Sequence, residues 1–274
     1  MGRLKEILEI QLFTKCNLKC EYCYNYFKED IKSIDFYRKI IKIILFHEKI
    51  NEKTLFVLNG GELFLWKDLY LLIQDLKKYK ITLYSNGLGD YSNIENIKNN
   101  INLTFTYHIN ELLHVKKIDK FIKNSIIINQ IVPNFKIAVV LTRDLIENKK
   151  EFMEFFTKIP SNIFIDLNIE DSFLKTMNDN EYIEIKNIYN YIFENLNYKY
   201  LTCTWEKDFT FYDYLQRLNL ARTKNLPIRN IMQKQYLIYN DKIIFVKNKK
   251  IYEFKINEIN KFLLSMKRKI NEKS

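Results

Sequence analysis

Glycine and proline are nearly missing from this sequence, with 5 and 3 among 274 residues. That scarcity excludes the glycine- and proline-rich low-complexity and collagen-like classes. No apolar run approaches the roughly 20 residues needed to cross a bilayer, because Lys or Asn interrupts each one. Met1 to Glu6 holds Arg and Lys and then a strand pattern, without the apolar core and cleavage site of a signal peptide. A cytoplasmic protein with no membrane partner is expected. Cysteine is scarce as well: there are four, and Cys16, Cys20 and Cys23 fall within eight positions. This layout is wrong for an oxidised secreted scaffold and suits a metal or cluster in a reducing compartment. The three histidines, His47, His108 and His114, are all distant from that triplet.

What is abundant is apolar and aromatic: 47% hydrophobic residues, with 20 Phe and 19 Tyr, supply a packed core rather than a disordered chain. The 44 Lys and Arg exceed the 33 Asp and Glu, for a net charge of +11. An excess of this sign suits an anionic partner such as nucleic acid or an acidic peptide. The cations are interleaved with acids along the chain, which is equally the pattern of a solvated surface.

Hydrophobic periodicity predicts strands at Ile7–Leu12, Lys53–Leu58, Ile81–Tyr84, Ile101–Tyr107, Phe135–Leu141 and Ile163–Ile169. Helices are predicted from Ser33, over Trp66–Lys78, Asn93–Asn100, Ile118–Ile128, Asn148–Lys158 and Glu181–Leu196. Six strand-then-helix units imply a parallel α/β architecture, an open sheet or a partial barrel, with ligands at the strand ends. After residue 197 the alternation breaks. A hairpin is expected around Asn240-Asp241 and a basic helix over Ile256–Lys269, so residues 1–197 form the expected core and 198–274 a small extension.

The chemistry concentrates in Cys16-Asn17-Leu18-Lys19-Cys20-Glu21-Tyr22-Cys23, directly after the first strand. Thiolates are soft ligands for zinc or iron-sulfur clusters, and three of them leave a coordination position open. Four of the five glycines lie in Gly60-Gly61-Glu62 and Asn86-Gly87-Leu88-Gly89, both just after strands. In a glycine-poor chain this marks backbone constraints at one rim.

The CxxxCxxC triplet, an aromatic residue before its third cysteine, and a GGE after the second strand resemble the radical S-adenosylmethionine superfamily. In motif style they are closest to the SPASM or twitch peptide-modifying members. The resemblance implies a partial (β/α)6 TIM-like barrel with a degenerate C-terminal extension of hairpin plus helix. It also implies one 4Fe-4S cluster on Cys16, Cys20 and Cys23, whose fourth iron takes S-adenosylmethionine. Tyr22, Gly60, Gly61, Glu62, Asn86 and Thr106 are the implied cofactor contacts, with Arg143 and Asn168 added by position. His108 stands where many relatives carry Asp, and with Cys203 it is a candidate for a proton- or hydrogen-transfer role. Cys203 is the sole remaining thiol, which cannot hold an auxiliary cluster, so a single cluster is expected. The implied reaction is reductive cleavage of the cofactor to a 5′-deoxyadenosyl radical that takes hydrogen from a substrate. An electron donor such as flavodoxin or ferredoxin is implied as partner, with a peptide or protein side chain as substrate. A small molecule, nucleoside or nucleic acid is the alternative. A non-catalytic binding module, stabilised by zinc on the triplet and Cys203, is the reading from another class.

Overall fold

The structure is a computed structural model that describes residues 7–21, 23, 30–47, 54–169, 173, 176–195, 201–203, 233–239, 242–247 and 250–255. Its strands are β1 (Ile7–Gln11), β2 (Leu55–Asn59), β3 (Lys80–Ser85), β4 (Ile101–Tyr107), β5 (Phe135–Leu141), β6 (Phe164–Ile169), β7 (Leu201–Cys203), β8 (Gln233–Tyr239), β9 (Lys242–Lys247) and β10 (Lys250–Lys255). All ten join one sheet in the order β10-β9-β8-β1-β2-β3-β4-β5-β6-β7. Strands β1 to β7 pair in parallel, β8 pairs in parallel with β1, and β9 and β10 follow antiparallel. The sheet is a partial barrel with β7 and β10 at its open edges. It runs across the boundary expected at residue 197, and the predicted helix Ile256–Lys269 lies outside the described residues.

The helices are α1 (Ile34–His47), α2 (Leu69–Asp75), α3 (Ile109–His114), α4 (Ile118–Ile131), α5 (Arg143–Glu147), α6 (Lys149–Lys158) and α7 (Asp179–Asn195). Ser33 caps α1, its Oγ accepting from Phe36 N at 3.4 Å. Asn178 and Glu181 form a reciprocal capping box at the start of α7, at 2.9 and 2.8 Å. The predicted helix over Asn93–Asn100 shrinks to a 3-10 turn, Ile94–Asn96. Four asparagines in eight residues offer the backbone competing side-chain partners there.

Alternation along each strand gives the sheet two different faces. Leu8, Ile10, Phe56, Leu58, Leu103, Phe105, Tyr107, Ile137 and Val139 join the helices' Tyr37, Ile40, Phe121, Phe152 and Phe155 in the buried core. Each such side chain contributes roughly 1.5–3 kcal/mol on burial, so packing rather than intrinsic propensity holds short helices such as α3 and α5. The opposite face is polar. Asn59 donates to Glu9, Asn102 Nδ2 to Thr82 Oγ1 at 3.3 Å, and Lys136 pairs with Asp166 at 3.0 Å. These groups are enclosed, with Thr104, Asn59 and Asp166 at 1%, 3% and 4% exposure, as befits a sheet curling around a polar interior.

Candidate functional site

The cysteine loop leaves β1 and runs against the turn after β2. Leu12 N donates to Asn59 O (3.0 Å), Gly61 N to Phe13 O (2.9 Å) and Glu62 N to Lys15 O (2.9 Å). Glycine is required by this approach: a Cβ on Gly61 would lie 2.0 Å from Lys15 O, and one on Gly60 would lie 2.5 Å from Phe13 O. The diglycine and the cysteine segment therefore form one unit of backbone, although some 45 residues separate them in sequence.

Glu62 has no exposed surface, and its carboxylate gathers the surrounding loops. Oε1 accepts from Phe64 N (3.0 Å) and Ser85 Oγ (2.8 Å), and Oε2 accepts from Asn86 N (2.6 Å). Ser85 Oγ lies 2.6 Å from the hydroxyl of the partly buried Tyr91. Burial pushes the Glu62 carboxyl up to about 7, and the three hydrogen bonds oppose that rise. The turn after β3 is completed by Gly87 at φ +76°, a left-handed conformation suited to glycine.

Asn86 links that turn to the cysteines. Its Nδ2 donates to Asn17 Oδ1 (2.6 Å) and to Cys16 Sγ (3.6 Å), while Oδ1 accepts from Leu88 N (3.0 Å). Leu18 N also donates to Cys16 Sγ, at 3.4 Å. Cys23 N bonds Cys20 O at 3.1 Å, folding the end of the triplet back on itself. Cys16 and Cys23 are exposed and Cys20 is partly buried. Burial raises the Cys20 thiol well above its ordinary value, and negative charge on Glu111, Cys16 and Cys23 raises it further. Burial likewise raises Cys16, helped by Glu62 and Cys23. Negative charge on neighbouring thiols thus works against ionising Cys16 and Cys20, and a bound cation would offset it and tie the loop together. Among the described residues no three His, Cys, Asp or Glu side chains are gathered to hold a metal ion.

Several contributors were not visible in the sequence. Glu111, on α3, accepts a hydrogen bond from the backbone of Glu21 and lies close enough to Cys20 to raise its thiol. Asn17, Tyr91 and the interior pair Glu9–Asn59 are further examples. Nothing local marks them, because their partners are 6 to 91 residues away.

Thr106 is partly buried on the polar face of β4, while its neighbour Tyr107 turns to the helices and stacks on Phe155 at 4.0 Å. Asn168, near the end of β6, donates to Asp166 O at 3.2 Å. Arg143 starts α5 and is turned to α7, where Nε meets Glu181 Oε1 at 2.5 Å and the guanidinium lies over Phe173. His108 follows β4 at the start of α3; part of the residue reaches solvent, but desolvation of the ring pushes its pKa down to about 4. Cys203 ends β7 beside Leu167, and its side chain, like Tyr22, lies outside the described part.

No protein-family model matches the chain, and no curated protein matches it. Solved structures do. Streptococcus suis SuiB bound to the precursor peptide SuiA superposes with a TM-score of 0.58 over 88% of this chain and 59% of SuiB, at 16% identity. SuiB bound to S-adenosylmethionine gives 0.55 at 15% identity, over 88% of this chain and 60% of that one. Native anSMEcpe with bound AdoMet gives 0.58 at 17% identity, over 92% of this chain and 80% of that one. The chain has their fold. It spans about three-fifths of the length of SuiB, and at these identities the likeness is one of architecture. Within that shared architecture, the segments joined at Glu62 and Asn86 all leave the C-terminal ends of strands β1, β2 and β3, the ligand side of a parallel barrel.

Proposed function

We propose that this protein is a radical S-adenosylmethionine enzyme with one 4Fe-4S cluster, acting on a peptide or protein side chain. The observation that carries the reading is the backbone ladder between the cysteine loop and Gly60-Gly61-Glu62, set at the strand ends of a fold shared with S-adenosylmethionine-bound proteins. Cys16, Cys20 and Cys23 would hold the cluster, and the chemistry of the donor set fits: three soft thiols in one loop, two of them open to solvent. Bound together, the cluster and S-adenosylmethionine supply reductive carbon–sulfur cleavage and hydrogen abstraction from the substrate.

This chain's own residues bind and orient. The Gly60-Gly61-Glu62 turn, which borders the cysteine loop, would contact the cofactor, as would Tyr22, while Asn86 reaches the loop at Cys16 and Asn17. Thr106 and Asn168 line the polar interior, where ribose and carboxylate contacts belong, and Arg143 reaches them only by leaving Glu181. With its pKa near 4, His108 stays neutral at physiological pH, which suits a hydrogen-bond or proton-accepting part rather than a cationic one. Cys203, at the end of β7, is the candidate hydrogen donor. Residues 198–274 are read as a degenerate extension without an auxiliary cluster, flavodoxin or ferredoxin as the electron source, and the cytoplasm as the compartment. The peptide preference rests on the peptide-bound states of SuiB and anSMEcpe.

Anaerobic reconstitution followed by reduction tests this reading. Wild-type protein is expected to turn brown and release 5′-deoxyadenosine from S-adenosylmethionine, and Cys20→Ala is not. Equal product from both, or a colourless protein carrying zinc, overturns it.

A further inference from the structure

Asn86 is 94% buried and every polar atom of its side chain is engaged. Its backbone N–H is fixed by Glu62 and its Oδ1 by Leu88 N, so the carboxamide cannot rotate without breaking the turn. This locks Nδ2 toward the cysteine loop, where its two protons meet Asn17 Oδ1 at 2.6 Å and Cys16 Sγ at 3.6 Å. Given the large radius of sulfur, 3.6 Å is an ordinary N–H···S length. Leu18 N adds a second donor to the same sulfur.

A donor aimed at a cluster sulfur stabilises the state with more negative charge. Hydrogen bonds to the sulfurs are therefore among the factors that set a cluster's reduction potential. We infer that the Asn86 carboxamide acts on the iron centre through Cys16, raising its reduction potential by an N–H···S bond, rather than contacting the cofactor directly. Asn86 is thus a positioning residue, and Glu62 serves it by holding the turn from which it reaches. The inference rests on the reading above that the three cysteines hold a 4Fe-4S cluster.

Reconstituted wild type, Asn86→Ser and Asn86→Asp are titrated with dithionite under mediator dyes and followed by EPR, without S-adenosylmethionine. Dithionite passes one electron to the cluster, and no bond to the protein forms or breaks. Asn86→Ser keeps a short oxygen for Leu88 N but cannot reach Cys16. Asn86→Asp keeps the turn and sets a carboxylate against the sulfur. At equal iron and sulfide content, both are expected to lower the equilibrium constant for reduction. The loss is on the order of tenfold for Ser, equivalent to about 59 mV, and larger for Asp. Ser85→Ala, which loosens the same turn through Glu62 and leaves the donor in place, is expected to keep the wild-type potential. Unchanged potentials in both Asn86 variants overturn the inference while the enzyme reading stands, as does a shift in Ser85→Ala equal to that in Asn86→Ser. A wild type that takes up no iron overturns both.

Discussion

Replacing Gly61 by alanine tests the coupling between the diglycine turn and the cysteine loop. The added methyl carbon would sit 2.0 Å from Lys15 O, 2.4 Å from Lys15 C and 2.6 Å from Thr14 O. These are backbone atoms, so no side chain can swing aside. Reaching even 3.0 Å from Lys15 O means parting the two segments by 1.0 Å (3.0 minus 2.0), which stretches the 2.9 Å bond from Glu62 N to Lys15 O beyond hydrogen-bond range. Losing one or two such bonds costs about 1 kcal/mol each. Overpacking adds about 1–3 kcal/mol, so the total is about 2–5 kcal/mol. For a chain of this size the melting temperature should fall by roughly 5–15 °C. Gly60→Ala, whose nearest contact is 2.5 Å, should fall less. Calorimetry on the iron-free proteins reads the first effect, and iron content after reconstitution should drop in the same order. A Gly61→Ala protein that melts like wild type, or a Gly60→Ala protein that is the worse of the two, refutes the reasoning.

Other consequences are as direct. His108 holds a pKa near 4 in the folded chain against 6.5 ordinarily, so its contribution is complete above pH 6.5. It is lost as pH falls toward 4, by roughly 3 kcal/mol. Glu62, raised from 4.5 to about 7, works the other way, its contribution complete below pH 4.5 and lost as pH rises through 7. In urea melts of iron-free protein, His108→Asn should therefore lose stability relative to wild type as pH rises and Glu62→Gln should gain it relative to wild type, and profiles parallel to wild type would refute the assignment. Lys136→Met removes the ion-pair partner seen at 3.0 Å from the Asp166 carboxylate, only 6% exposed; because Lys136 is itself 36% exposed, the cost should be about 1 kcal/mol, and a melt within error of wild type contradicts it. Tyr107→Phe removes a buried hydroxyl that lacks a hydrogen-bond partner among the described residues, and should stabilise by about 1 kcal/mol; a clear loss would reveal a partner.

The strands were legible because each is a short apolar run bounded by polar residues, and β4 and β5 match their predicted limits to the residue. The cap at Ser33 was legible for the same local reason. Helix extents were less so. The expected Trp66–Lys78 helix narrows to Leu69–Asp75, preceded by a 3-10 turn that Glu62 caps through Phe64 N. That turn depends on Glu62 being buried, which only the fold decides. In the site, the cysteines and glycines stood out through spacing and scarcity. The network around them did not: Asn86 finds Asn17 across 69 residues, and no pattern in the sequence states which carboxamide turns toward which sulfur. The same holds for β8, whose hairpin with β9 was local enough to read while its parallel pairing with β1 was not.

That last pairing bears on how the chain is made. Strand β1 is made more than 200 residues before β8, one of its two neighbours in the sheet, which ends at Tyr239. Until β8 has been made, an Ile-Leu-Glu-Ile-Gln edge stands bare, which is a hazard for self-association. Truncating the gene before β8 should therefore yield inclusion bodies rather than a tidy shorter barrel, and the native protein should mature slowly, as topologies built on distant pairings do.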